Sequence, residues 1–495
     1  MRKSPSFHLC FLVLLQIILV LGSPSAAQAS SAPNAKFKAD IDSIVKKGSS
    51  KNTNWGIAIR NASTGQSLYE ENSLRKLVPA SNRKLFTSLL ALEKLGEQYT
   101  YQTELFADGA ISEDGHLRGA LRVVGSGDPT FCNPRFDGGS RTKPLEQFVD
   151  AVKRAGIKYV HDGIVVDCSA FTNDHDAVSG LPDDYVVQYA ARPCCLSFSE
   201  NAIAVQVKAG YGENQPVRVS TIPAYSLVLL INNAKNGSKR SANTLRISRE
   251  RNGDIITIDG KKPLGQSSET RLVALRNPAL VAGKVFKELL KENGIFVQGD
   301  VRVVYSAPEA QGKRLDVYIS PPLKDLLPLM NQRSNNVITE QVYQSISRRL
   351  YGLGSYENTR KAELEFLDQI GVPIRYVVPE DGSGLSRDNL CTADSIIRML
   401  QWETTQPHFQ TFKDSLALSG SKGTLKGRMT SSRLKGRVYG KTGTLNGVST
   451  LSGYYITPKG TIFTFSILVN DAESWKARDA QNIILDKLAR YYGHL

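Results

Sequence analysis

After its first thirty residues the chain has no apolar run approaching the roughly 20 residues that a membrane-spanning helix needs, so a protein of many membrane-spanning helices is excluded. Cysteine is scarce, six in 495 residues, and the spacing fits no metal-binding motif. The formal charge is +15, yet it is scattered, with neither basic blocks nor interleaved aromatics. That pattern gives no footprint for nucleic acid. There is no internal repeat or low-complexity tract, which removes solenoids and disordered linkers from consideration. Histidine numbers only six, and these are dispersed.

What is present begins with a leader. Arg2 and Lys3 precede the apolar stretch "FHLCFLVLLQIILVLG", and Ala27-Gln28-Ala29 offers a small-residue cleavage site before Ser30. The run is short for a membrane anchor, so residues 1–29 read as a signal peptide. Removing these 29 leaves 466 residues, room for two or three domains, and a formal charge of +13. An exported basic protein can be drawn loosely to an anionic membrane or wall. Five cysteines then remain: Cys132, Cys168, Cys194, Cys195 and Cys391. An odd number leaves at least one unpaired within the chain; Cys132 with Cys168 is one pairing to test.

The texture of the chain changes twice. "NWGIAIRNASTGQSLYEENS" (54–73) predicts two strands around a turn, and an amphipathic helix follows from Ser81 to the stop signal Gly96. From about 97 to 313 short strands alternate with turns, and only "PLEQFVDAVKRAG" and "PALVAGKVFKELLKENG" look strongly helical. Helices return from 322, and the end reads strand, strand, helix. The terminal strands could therefore share one sheet, with a β-rich block inserted between them.

Three short motifs carry chemistry. Ser81 and Lys84 lie one helical turn apart on one face. A lysine can take a hydroxyl proton only when neutral, which requires depressing its pKa by roughly three units, about 4 kcal/mol, through desolvation and a second cation. The alternative is a capping serine beside a solvated lysine. Ser-x-x-Lys is cheap, recurring at Ser43, Ser73, Ser419 and Ser432. Ser334 and Asn336 form Ser-x-Asn, which also recurs at residues 50, 199 and 241; they could relay a proton and hold an amide, or cap a helix. Lys441-Thr442-Gly443 occurs once, in a strand pattern; its cation and hydroxyl suit a carboxylate, and its glycine suits close approach of another chain.

In that order the three motifs are the set found in the active-serine acyltransferases that recognise penicillin. "VVGSGDPTF" (123–131), "DGSGLSRDN" (381–389), "SLALSGSKGTLKGRM" (415–429) and the 253-residue interval between Ser81 and Ser334 resemble the D-alanyl-D-alanine carboxypeptidase/endopeptidase family, the class C low-molecular-mass penicillin-binding proteins. The resemblance covers nearly the whole mature chain. It implies an α+β fold: a penicillin-binding, serine β-lactamase-like catalytic domain, a five-stranded antiparallel sheet with flanking helices, carrying a large β-rich insertion. The expected division is 30–96 and 314–495 for the catalytic domain and 97–313 for two nested inserted domains. The outer of these would take about 97–175 and 290–313, and the inner about 176–289.

The resemblance also implies the roles. Ser81 would be the nucleophile, Lys84 the base, and Ser334 the proton relay to the leaving amine. Asn336 would hold the peptide amide, Lys441 and Thr442 the terminal carboxylate, and the N–H groups of Ser81 and Thr444 the oxyanion. No histidine lies in these motifs to act as base instead. Asp167 resembles an aspartate of the inserted domain near the cleft, with either a substrate role or a structural turn. Asn335 departs from the commoner Asp. The implied partners are peptidoglycan stem peptides ending in D-Ala-D-Ala and β-lactams as covalent inhibitors, in the periplasm or wall space of a bacterium, with no metal or cofactor. The alternatives are a serine β-lactamase, which would need a group to activate the deacylating water, and a catalytically silent peptidoglycan-binding protein.

Overall fold

The computed structural model describes residues 31–50, 52–173, 186–225, 227–306 and 312–495. The expected signal peptide and the expected start of the inner inserted domain near 176 lie outside them. Among the described residues no helix is long and apolar enough to cross a membrane.

Strands from both ends of the chain do share one sheet. Its order is Ala417–Leu418, Val438–Leu445, Val448–Ile456, Ile462–Asn470, Asn54–Asn61, Ser67–Glu71, and every pair is antiparallel. The five expected strands are present, and a two-residue strand adds a sixth at one edge. The two central strands, VSTLSGYYI and IFTFSILVN, are buried at nearly every position. Side chains alternate between the faces of a strand, so burial at successive positions requires cover on both faces. On one face lie helices Arg83–Leu95, Leu323–Asn331, Asn336–Tyr351 and Ala393–Glu403, with a core of Leu85, Leu89, Ile338, Ile396 and Leu468. On the other lie Ser31–Gly48 and Ser474–Tyr492, with Phe37, Ile57, Ile467 and Ile484. The hydrophobic pattern had not announced the first of these helices. It is tied to the last by Lys487 Nζ donating to Asp40 Oδ2 at 2.7 Å and by Phe37 edge-on to Tyr491 and Tyr492.

The inserted region is built around a seven-stranded mixed sheet. Gln102–Ile111 pairs antiparallel with His116–Val124 and with Lys313–Ile319. His116–Val124 continues in parallel to Tyr159–Val160 and Ile164–Asp167, which pair with Phe296–Val297 and Val301–Val304. Sheet pairing thus carries the insertion to Ile319, past the expected limit of 313. Helix Pro278–Glu292, expected mostly within the inner domain, packs on this outer sheet beside Lys143–Arg154, with Phe148 edge-on to Phe286. Residues 202–274 form three small sheets whose core is continuous with the outer one through Val205, Ile256 and Val273.

The five described cysteines are buried and unbonded. Cys132 and Cys168 are not joined. The Cys168 thiol contacts those of Cys194 and Cys195 instead.

Candidate active site

Ser81 sits in a single 3₁₀ turn, Ala80–Asn82, and the α-helix proper starts at Arg83. Its hydroxyl caps neither element; the helix N-cap is Asn82, and no side chain makes the capping hydrogen bond. The turn is tight: Ala80 has φ +46, which L-residues rarely adopt. Gly384 and Gly443 hold its two sides. A Cβ on Gly384 would fall 1.9 Å from the Ala80 carbonyl, and one on Gly443 would fall 2.8 Å from the Pro79 carbonyl and 2.9 Å from the Ser81 nitrogen. The Lys-Thr-Gly strand therefore runs directly against the backbone of Ser81.

Lys84 is fully buried. Its Nζ lies 3.2 Å from Ser81 Oγ, donates to Asn336 Oδ1 at 2.7 Å, and donates to the Ser383 carbonyl at 2.8 Å. A neutral amine has two N–H groups and one lone pair. The two acceptors occupy the N–H groups, and the lone pair is left for the serine hydroxyl. Burial pushes the Lys84 pKa down to about 8, against the opposing charges of Glu340 and Asp381. Desolvation is the cause of the depression, and Glu340 and Asp381 oppose it. The expected second cation is present as Lys441, which is electrostatically linked to Lys84.

Lys441 is also buried, and it donates to Ser334 Oγ and to the Thr442 carbonyl, each at 2.9 Å. Burial, and then the charge of Lys84, hold its pKa well below the ordinary value. Ser334 has φ +57 at the tight entry to helix Asn336–Tyr351. Asn335 caps that helix through Ile338 N–H at 3.0 Å, and its Nδ2 donates to Glu200 Oε2 at 2.9 Å. The departure from Asp therefore has a structural use: an amide can both cap and donate. Glu200 is the middle of Ser199–Asn201, one of the decoy Ser-x-Asn triplets.

The structure brings Ser81, Lys84 and Asn336 into one hydrogen-bonded group and Ser334 and Lys441 into a second, with Lys84 and Lys441 electrostatically linked. Thr442 Oγ1 bonds Thr424 Oγ1 at 2.8 Å. Thr444 is exposed one step further along the strand, opposite Ser449. Asp167 stands apart: its carboxylate accepts from the Ser169 N–H at 2.9 Å and from Arg122 at 3.4 Å. Four participants were not among the expected site residues: Ser383 and Thr424, which lie within the stretches 381–389 and 415–429, Glu340, and Tyr189, whose carbonyl accepts from Asn336 Nδ2 at 2.9 Å. Glu340 was findable, four residues after Asn336 on the same helical face. Tyr189 acts through its backbone, which no side-chain motif can announce.

A lysine whose pKa burial brings down to about 8, aimed at a serine hydroxyl beside a second buried lysine, defines an active-serine acyl-transfer enzyme. Residues 37–491 match the D-Ala-D-Ala carboxypeptidase 3 (S13) family. The chain is 32% identical to the D-alanyl-D-alanine carboxypeptidase of Actinomadura sp. (strain R39), over 97% of this chain and 89% of that one. It is 24% identical to D-alanyl-D-alanine carboxypeptidase DacB of Haemophilus influenzae, over 84% and 85%. The solved structure of penicillin binding protein 4 (dacB) from Haemophilus influenzae shares the fold, with a TM-score of 0.80 at 22% identity over 91% of this chain and 99% of that one. This chain belongs to the D-Ala-D-Ala carboxypeptidase 3 (S13) family.

Proposed function

We propose that the protein, exported to the periplasm or wall space of a bacterium, removes the terminal D-Ala from peptidoglycan stem peptides ending in D-Ala-D-Ala. Ser81 is the nucleophile and Lys84 its base. The lone pair of Lys84 takes the hydroxyl proton as Oγ attacks the penultimate D-Ala carbonyl. The N–H groups of Ser81 and Thr444 hold the oxyanion, each such donor being worth about 2.7–4 kcal/mol. Ser334, bonded to Lys441, passes a proton to the leaving amine, and Asn336 holds the peptide amide. Lys441 and Thr442 hold the terminal carboxylate, and water then releases the acyl group. Cross-links between stem peptides present the same chemistry and are a second substrate class. We assign Asp167 a structural role, because Arg122 and the Ser169 amide engage its carboxylate.

The observation that carries this reading is the pair of acceptors that leaves only the Lys84 lone pair for Ser81. A β-lactamase would need a group free to activate water. Glu340, the buried carboxylate beside Lys84, has both oxygens engaged by the Gly382 and Ser383 amides, which disfavours that reading. A binding protein would have no use for two desolvated lysines, whose burial costs stability.

The test is time-resolved labelling of wild type and Ser81→Ala with a fluorescent penicillin. A stable adduct on wild type alone supports the peptidase reading. Rapid release with hydrolysed drug would indicate a β-lactamase, and no adduct on folded wild type would sink the proposal.

A further inference from the structure

Helix Asn336–Tyr351 directs a second polar side chain toward the base, one turn after Asn336. The Glu340 carboxylate is buried; its Oε1 accepts the Ser383 N–H at 2.7 Å, and its Oε2 accepts the Gly382 N–H at 3.1 Å. The segment clamped in this way carries the Ser383 carbonyl that lies 2.8 Å from Lys84 Nζ. Thr87 Oγ1 donates to the Gly382 carbonyl at 2.7 Å, and Asp381 accepts the Gly384 and Ser386 amides at 2.6 and 2.7 Å. The loop is thus fixed from three sides, and Glu340 grips the part nearest the base.

We propose that Glu340 is the positioning residue of the base: by clamping the Gly382 and Ser383 amides it sets the carbonyl that, with Asn336, turns the Lys84 lone pair onto Ser81. This rests on Lys84 being the base. The physical reason is rotational. A neutral amine on a flexible stem with one acceptor can swing its lone pair about that single bond; two fixed acceptors define the direction. Asn336 and Glu340 are four residues apart, so one rigid helix fixes both acceptors. Neither residue need touch substrate to do so.

The clamp also carries charge. Glu340 is faced by Lys84 from helix Arg83–Leu95, by Asp381 from the loop and by Tyr356 from helix Tyr356–Gln369, and it lines one pocket together with Arg192 of the inserted region. Its negative charge favours the ammonium form of Lys84. A neutral isostere therefore has an effect of definite sign: the base loses its proton more easily, while its aim deteriorates. The first effect follows from the charge and the second from the clamp, so Glu340→Asp, which keeps the charge and shortens the clamp, separates the two.

The experiment measures penicillin acylation rate against pH for wild type, Glu340→Gln, Glu340→Asp and Lys84→Met, with a thermal melt of each. For Glu340→Gln we expect a plateau rate lowered about tenfold, corresponding to about 1.4 kcal/mol, and an acid limb displaced to lower pH. Glu340→Asp keeps the charge on a shorter reach, so its plateau falls and its limb stays. A Glu340→Gln profile superimposed on wild type would overturn the proposal. So would equal loss at every pH with an unmoved limb. If Lys84→Met acylates at the wild-type rate, it is the reading of Lys84 that fails, whatever Glu340 does.

Discussion

The catalytic unit and the inserted region bury their polar groups to different ends. In the catalytic unit, buried titratable groups gather around Ser81 and act on one another electrostatically. Lys84 and Lys441 are desolvated, Glu340 is pushed up to about 7 by burial and Asp381, and Arg83 makes a fully buried ion pair with Glu363 that Tyr343 also joins. In the inserted region the core is one continuous apolar cluster, and several ion pairs lie nearer its surface, such as Arg314 with Glu104 and Arg154 with Asp316; Asp128 is buried there too, its pKa pushed up to about 7 by burial. The region's direct hold on the site is slight: the Tyr189 carbonyl on Asn336 and Glu200 on Asn335. Desolvated charge is expensive to keep, and around Ser81 it moves the pKa of the base.

If that contrast is right, the largest effects come from the catalytic unit. Ser81→Ala should abolish acylation. Lys84→Met should slow it by about 10²–10⁴, and in wild type the acylation rate should fall as pH drops below about 8, where Lys84 gains its proton. A rate independent of pH between 6 and 9 would break the assignment of the base. Gly443→Ala sets a methyl against the Ser81 backbone; misplacement on that scale costs about 10² in rate, and stopped-flow acylation would show it. Glu363→Gln leaves Arg83 buried without its counter-charge, with an expected loss of about 3–5 kcal/mol, read as a lowered melting temperature. Asn335→Ala removes a helix cap worth about 1 kcal/mol and one tie to the insertion, so a small stability loss is expected. Least of all, Asp167→Asn should leave penicillin acylation unchanged. A large loss there would mean that the inserted region takes part in the chemistry, and the contrast would fail.

Much of this was legible in one dimension. Alternation in residues 54–73, the apolar stripe after Ser81 and the strand patterns near the C-terminus were enough to place one sheet at both ends of the chain, because strand and helix periods are local properties. The motif order did the same for Ser81, Lys84, Ser334, Asn336 and Lys441. The boundary at Ile319 and the packing of helix Pro278–Glu292 on the outer sheet were not legible, since partner choice among short strands is non-local. Asp167 illustrates the limit at the site. The sequence left it either a substrate role or a structural turn, and its neighbour Arg122 is 45 residues away, a contact no local motif announces.

The sequence by itself determined which side chains were available and which of them lay a helical turn apart, because a helix is specified by its own residues. Only the tertiary structure decided that the pKa of Lys84 is lowered by burial and that its amine is held by Asn336 and Ser383. A pKa depends on what surrounds a group in space, and those surroundings come from residues some 250 to 300 positions away.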